Sequence, residues 1–262
     1  MQLELYQIDS FTDKIFHGNP ACVVPLKEWL PDEILLKITR ENAVAETAFF
    51  IDKGETIHLR WFTPEIEMDL CGHATLAAAH CLVSILNYKG DRITFETKSG
   101  LLTVEVKDGM YYMDFPSRMP EVSTLPDIIV KSLNIQPKEI FQSRDYVLVY
   151  ESEQDIKKVQ IERSIFDTIN LDPGGVVITS VGSDCDFVSR YFTPQSTILE
   201  DPVTGSAHCS LIPFWSSRLG KDTLFARQIS ERGGELYCEN KEQRVIVAGK
   251  ARTYSVGHIY IE

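Results

Sequence analysis

Basic residues are the scarce class in this 262-residue chain. Lys and Arg number 26 against 38 Asp and Glu, for a formal charge of -12. A surface of that sign repels phosphate backbones and anionic lipid, which argues against a nucleic-acid or membrane-surface role. It leaves room for a small anionic substrate, because a local cluster of donors can oppose the global charge. Long apolar runs are also missing. The longest stretch, Ala74 to Leu86, is interrupted by His80 and is too short to span a bilayer, so it reads as a buried helix. HExxH, clustered Cys/His and EF-hand patterns are absent, so no metal is expected. GxGxxG and GxxxxGK[ST] are absent too, so no nucleotide cofactor is expected.

The six cysteines, Cys22, Cys71, Cys81, Cys185, Cys209 and Cys238, form no CxxC pair and no regular framework. The first residues, MQLELYQIDS, lack the basic start and apolar run of a signal peptide. Reduced thiols in a cytoplasmic protein are the expectation. An apolar fraction of 44% is ordinary for a globular chain and excludes wholesale disorder.

What the chain does contain is a copy of itself. RWFTP at 60–64 answers RYFTP at 190–194, an offset of 130. Gly72-His73-Ala74 answers Gly205-Ser206-Ala207 at 133, and the segment from Gly100 resembles that from Gly234 at 134. Three blocks in one order, at the spacing of a small domain, predict two copies of one fold. In each copy a strand carrying Phe-Thr-Pro leads to a Gly turn, then a helix, then strands. The helices are expected from about Gly72 to Asn87 and from about Gly205 to Leu219. Leu76, Ala79, His80, Val83 and Leu86 recur at helical spacing in the first, and Pro213 interrupts the second. IHLRWFT, RITFET, LLTVEV, MYYMDF, VVITS, DFVSRYF, ELYCE and RVIVAG read as strands. KDG at Lys107–Gly109 reads as a hairpin turn and ENKEQ as its longer equivalent. Many strands per helix predict curved sheets wrapped around one buried helix per lobe. The lobe boundary is expected near Pro116–Pro126, and the last strand, TYSVGHIYI, is expected to return to the first lobe.

Each Gly turn opens a helix, where free N–H groups and the positive end of the dipole collect. Either turn alone reads as an ordinary helix cap. As a repeated pair they point to a shared carboxylate site, with Gly72, Gly205 and Ser206 as binding residues. His73 lies in the first turn, where the dipole favours a neutral imidazole. Asp201 precedes the second turn and either caps the helix or accepts a bond from a substrate amine. Glu46 is the only charge in nine residues, Ala43 to Ile51. It reads as a general acid/base or as a strand residue pointing to water. Cys71 reads as an ionisable thiol at a helix start or as a small buried hydrophobe. His208-Cys209 is placed in the core, without a role.

NPACVV at Asn19–Val24, ENAVAETAFF at Glu41–Phe50, MDLCGHAT at Met68–Thr75 and EDPVTGSAH at Glu200–His208 together resemble the phenazine-biosynthesis PhzF-like isomerase family. The resemblance runs from the first strand to RGGEL at Arg232–Leu236, nearly the whole chain. It implies the diaminopimelate-epimerase-like fold. That fold is α+β, with two pseudo-symmetric lobes, each a curved, mostly antiparallel sheet around a central helix, and an active site between them. The lobes would be 1–118, joined by the C-terminal strand at 251–262, and 119–250. The family's best understood member isomerises trans-2,3-dihydro-3-hydroxyanthranilate by a proton shift, without cofactor or metal. By resemblance Glu46, His73 and Asp201 are the catalytic residues, and Gly72, Gly205 and Ser206 bind substrate. A homodimer is implied as well. Two other readings stand beside this one. An amino-acid epimerase would use Cys71 or Glu46, but the second lobe offers no partner thiol at Glu200–Gly205. A non-catalytic small-molecule-binding protein would have no need of Glu46, His73 and Asp201 together.

Overall fold

The structure is a computed structural model, and it describes residues 1–171 and 174–262. The chain divides into two compact units, Met1–Phe115 with Val247–Glu262, and Pro116–Ile246.

The first unit runs β1 (Gln2–Ser10), β2 (Asn19–Pro25), α1 (Asp32–Asn42), β3 (Glu46–Asp52), β4 (Ile57–Phe62), β5 (Glu67–Met68), α2 (Gly72–His80), β6 (Arg92–Thr97), β7 (Gly100–Lys107) and β8 (Met110–Pro116). The second runs β9 (Glu121–Val122), α3 (Asp127–Ser132), β10 (Glu139–Gln142), β11 (Tyr146–Val149), α4 (Glu153–Lys158), α5 (Arg163–Phe166), β12 (Val176–Val181), β13 (Phe187–Phe192), β14 (Glu200–Asp201), α6 (His208–Leu219), β15 (Thr223–Gln228), β16 (Gly234–Lys241) and the start of β17 (Arg244–Gly249). The last strand, β18 (Ala251–Tyr260), lies antiparallel on β1 from Gln2↔Tyr260 to Ser10↔Ala251, with a bulge at Gln7/Ile8.

Each unit is a mostly antiparallel sheet with one buried helix. The strand pairings repeat. β1–β2 and β10–β11 are antiparallel, whereas β2–β3 and β11–β12 are parallel. β3–β4 and β12–β13 are antiparallel, followed by the short additions β4–β5 and β13–β14. β4–β6 and β13–β15 are parallel, and β6–β7 and β15–β16 antiparallel. All eight expected strands are present. The hairpin at Lys107–Gly109 turns with positive φ at Asp108 and Gly109. Its counterpart is equally short, since β16 reaches Lys241 and β17 begins at Arg244. Among the described residues the 11-residue α1 and three short helices, α3, α4 and α5, join the expected pair.

The two central helices differ from the sequence expectation. All nine residues of α2 are buried, so it has no amphipathic stripe. Ala74, Ala77, Ala78 and Ala79 make it thin enough for strands to pass closely on every side. It continues as a π-helical turn, Cys81–Ile85, closed by the Leu86 N–H on the Cys81 carbonyl, and Asn87 takes positive φ beyond it. The second helix begins at His208 rather than Gly205. Tight i→i+3 bonds from His208 to Gly205 and from Cys209 to Ser206 form a turn that leads into it. Pro213 lies inside the helix and gives the Cys209 carbonyl no N–H. The backbone N–H of Arg118 supplies one at 2.9 Å, so the proline leaves no orphaned acceptor there.

Candidate active site

In the first unit, three elements bring functional side chains to one end of the sheet. Asn19 opens β2, Glu46 opens β3 beside Ala21, and His73 is the second residue of α2. The parallel β2–β3 pair puts Asn19 and Glu46 at the same end. Ser10, opposite Asn19 at the end of β1, donates to the His73 carbonyl at 2.7 Å and ties the helix start to that edge.

His73 Nε2 lies 3.2 Å from Glu46 Oε2, with the imidazole buried and 16% of the Glu46 side chain exposed. Both atoms are buried, and their approach lacks the alignment of a full hydrogen bond. Such contacts commonly tighten only when substrate binds. On the other side of the ring, Nδ1 faces Asn19 Nδ2 at 3.2 Å and Cys71 Sγ at 3.6 Å. Burial opposes a charged imidazole. The Cys71 sulfur and the Glu46 carboxylate favour it and prevail, so the His73 pKa is raised well above 6.5. The helix dipole alone predicts the opposite, and the Cys71 sulfur and the Glu46 carboxylate together reverse it. Burial pushes the Cys71 thiol up in turn, against the pull of His73. A thiol easily ionised by its place at a helix start is therefore not what the structure holds.

Glu46, Cys71 and His73 also have potential ligand atoms within 4.8 Å of one another. Cys71 faces Nδ1 and Glu46 faces Nε2, so one ion cannot take all three along their observed approaches.

Asp201, Gly205 and Ser206 belong to the second unit. Asp201 Oδ2 accepts from Thr204 Oγ1 at 2.5 Å. Gln228, buried at the end of β15, clamps the same turn. Its Nε2 donates to the Asp201 carbonyl at 2.7 Å and its Oε1 accepts from the Thr204 N–H at 2.8 Å. Ser230 Oγ donates to the Pro202 carbonyl. His208 Nδ1 donates to the Thr204 carbonyl at 2.9 Å, and burial lowers its pKa to about 4, so it is a neutral core residue. Gly205 and Ser206 stand in the turn that leads into α6.

The structure thus brings Glu46, Gly72 and His73 together, and it sets Asp201, Gly205 and Ser206 in one braced turn. Sequence reasoning gave no role to Asn19, Thr204 or Gln228. Asn19 and Thr204 left a trace, since each lies in a segment that carries the family resemblance, NPACVV and EDPVTGSAH, whereas Gln228 left none.

Comparison with known proteins places the fold and the family. A crystal structure of a PhzF-family phenazine biosynthesis protein from Enterococcus faecalis matches with a TM-score of 0.94 at 42% identity, covering all of both chains. A predicted epimerase from Pseudomonas aeruginosa shares the fold, with a TM-score of 0.75 at 19% identity over 99% of this chain and 100% of that one. An uncharacterized isomerase of Pseudomonas aeruginosa is 44% identical over 261 residues, 99% of each chain. The class is therefore an isomerase on an α+β, epimerase-type fold. Residues 8–257 match the phenazine biosynthesis-like protein family, PhzC-PhzF, and the chain belongs to that family.

Proposed function

We propose that this isomerase moves a proton between carbons of a small, dihydro-hydroxyanthranilate-like carboxylate without a cofactor, with Glu46 as the general acid/base. The observation that carries the reading is the approach of the Glu46 carboxylate to the buried His73 imidazole at a helix start. A carboxylate there has an electropositive partner on one oxygen and a second oxygen for a substrate proton. Glu46 takes a proton from one carbon and returns it to another on the same face. His73 and Asp201 steady the amino and hydroxyl groups as charge develops. The helix-start N–H groups at Gly72, Gly205 and Ser206 hold the substrate carboxylate.

The experiment is solvent exchange. The enzyme, incubated in heavy water with a dihydro-hydroxyanthranilate-type acid, is expected to catalyse deuterium incorporation, and Glu46→Gln to reduce it about a hundred- to ten-thousand-fold. Undiminished exchange in that variant removes Glu46 from the role. Inversion of a stereocentre without a double-bond shift would favour the epimerase reading instead.

A further inference from the structure

We propose that Asn19 is the positioning residue that keeps the Nε2 proton of His73 directed at Glu46. A neutral imidazole carries one N–H, and its neighbours decide which nitrogen holds it. At Nε2 the neighbour is a carboxylate oxygen, 3.2 Å away, a group that can only accept, although its alignment here falls short of a full hydrogen bond. At Nδ1 the neighbours are the Asn19 amide at 3.2 Å and the Cys71 sulfur at 3.6 Å, and both can donate. The surroundings therefore favour the proton on Nε2.

When the ring is protonated, Nδ1–H needs an acceptor instead. A half-turn of the Asn19 amide presents Oδ1 in place of Nδ2. Asn19 thus serves Nδ1 in both charge states, and Nε2–H faces Glu46 in both. A carboxylate or a lysine at this position would serve only one. Asn19 is fully buried and fixed in register opposite Ser10, which also holds the His73 carbonyl. The titratable groups acting on the ring are Cys71, on its own helix, and Glu46, on β3. Asn19 and Ser10, from β2 and β1, contribute dipoles without charge. The catalytic consequence, a donor held on one Glu46 oxygen, rests on the proposed role of Glu46. The tautomer itself does not.

The test is ¹⁵N NMR of protein labelled in its histidines, with the His73 signals assigned through His73→Gln. Above its titration, wild-type His73 is expected to be mainly Nε2–H. Asn19→Leu should lower the ratio of Nε2–H to Nδ1–H by about two- to twelve-fold, the worth of one hydrogen bond. Asn19→Asp should move the His73 midpoint up by about one pH unit or more, because a carboxylate then faces Nδ1. Unchanged tautomers in Asn19→Leu and an unmoved midpoint in Asn19→Asp would overturn the proposal and leave Asn19 a packing residue. If Asn19→Leu does not fold, the Asn19→Asp midpoint decides alone. Loss of proton exchange in wild type with the tautomer shift intact would count against the role of Glu46, not against that of Asn19.

Discussion

Glu46 and Gly175 hold equivalent positions in the two units. Thr47 pairs with Cys22 on one side and Phe62 on the other, as Val176 pairs with Tyr146 and Phe192. The residue before each is Glu46 in the first unit and Gly175 in the second. A Cβ at Gly175 would meet Tyr191 Oη at 2.6 Å and the Phe192 carbonyl oxygen at 2.7 Å. Tyr191 Oη instead donates to Asp145 Oδ1, which also takes the Gly175 N–H, each at 2.9 Å. The fold is duplicated and the Glu46 position is not, and the nearby Asp145 carboxylate of the second unit is taken up by Tyr191 and the Gly175 N–H. This asymmetry favours one base over a symmetric pair.

Gly175→Ala is expected to destabilise the protein by about 1–3 kcal/mol, because the backbone at Phe192 must shift to admit the methyl group. Urea unfolding measures this. A midpoint equal to wild type would mean that the space is not closed.

Cys71→Ser should keep activity within a few-fold. Burial holds the thiol up in pKa, and serine is a good residue at a helix N-cap. Steady-state turnover beside Glu46→Gln reads this directly. Loss in the serine variant equal to that in the glutamine variant would give the sulfur a chemical role.

Acid should weaken the fold between about pH 6.5 and 4 through His80 and His208. Burial lowers both to about 4 from 6.5, so each is neutral when folded. A depressed folded value contributes stability above the unfolded pKa that is lost as pH falls through the folded one. The loss is about 3 kcal/mol for each histidine across that window. His73 carries the opposite sign. Its raised value contributes stability below about pH 6.5 that fades as pH climbs through the elevated folded value. Unfolding free energy against pH for His208→Asn should show a shallower acid slope than wild type, and an identical slope would refute the assignment.

Arg190→Leu should cost more stability than Arg60→Leu, about 3–5 kcal/mol. Both arginines hold a glutamate through two nitrogens, Arg60 with Glu67 and Arg190 with Glu200. Arg190 Nη1 also caps the carbonyls of Ile156 and Val159, at 3.0 and 2.8 Å, whereas Arg60 reaches a largely exposed Asp32. Equal losses in urea melts would show that the two carbonyls contribute nothing.

These two pairs also explain why the repeat was legible in the sequence. RWFTP and RYFTP preserve the arginine that clasps a glutamate in the next short strand. The separation is seven residues in one copy and ten in the other, which accounts for the drift of the offset from 130 to 133. The Gly turns were legible because each opens a helix from a fixed strand. The equivalence of Glu46 and Gly175 was not, because their flanking segments share no residue pattern and only the strand register aligns them. The Asn19–His73 contact spans 54 residues and leaves no periodic trace. The His73 charge was not legible, because dipole reasoning takes no account of the Cys71 sulfur and the Glu46 carboxylate that the fold sets beside the ring. The burial of α2 was legible in its unbroken run of small apolar residues, and the structure covers all nine of them.

The most direct test of a single carboxylate base is label transfer. A substrate deuterated at the donor carbon, converted in ordinary water, should give product with part of the deuterium at the acceptor carbon. One carboxyl carries the label across before solvent removes all of it. Product whose new C–H comes wholly from solvent, with turnover surviving in Glu46→Gln, would contradict the account and point to two separate bases.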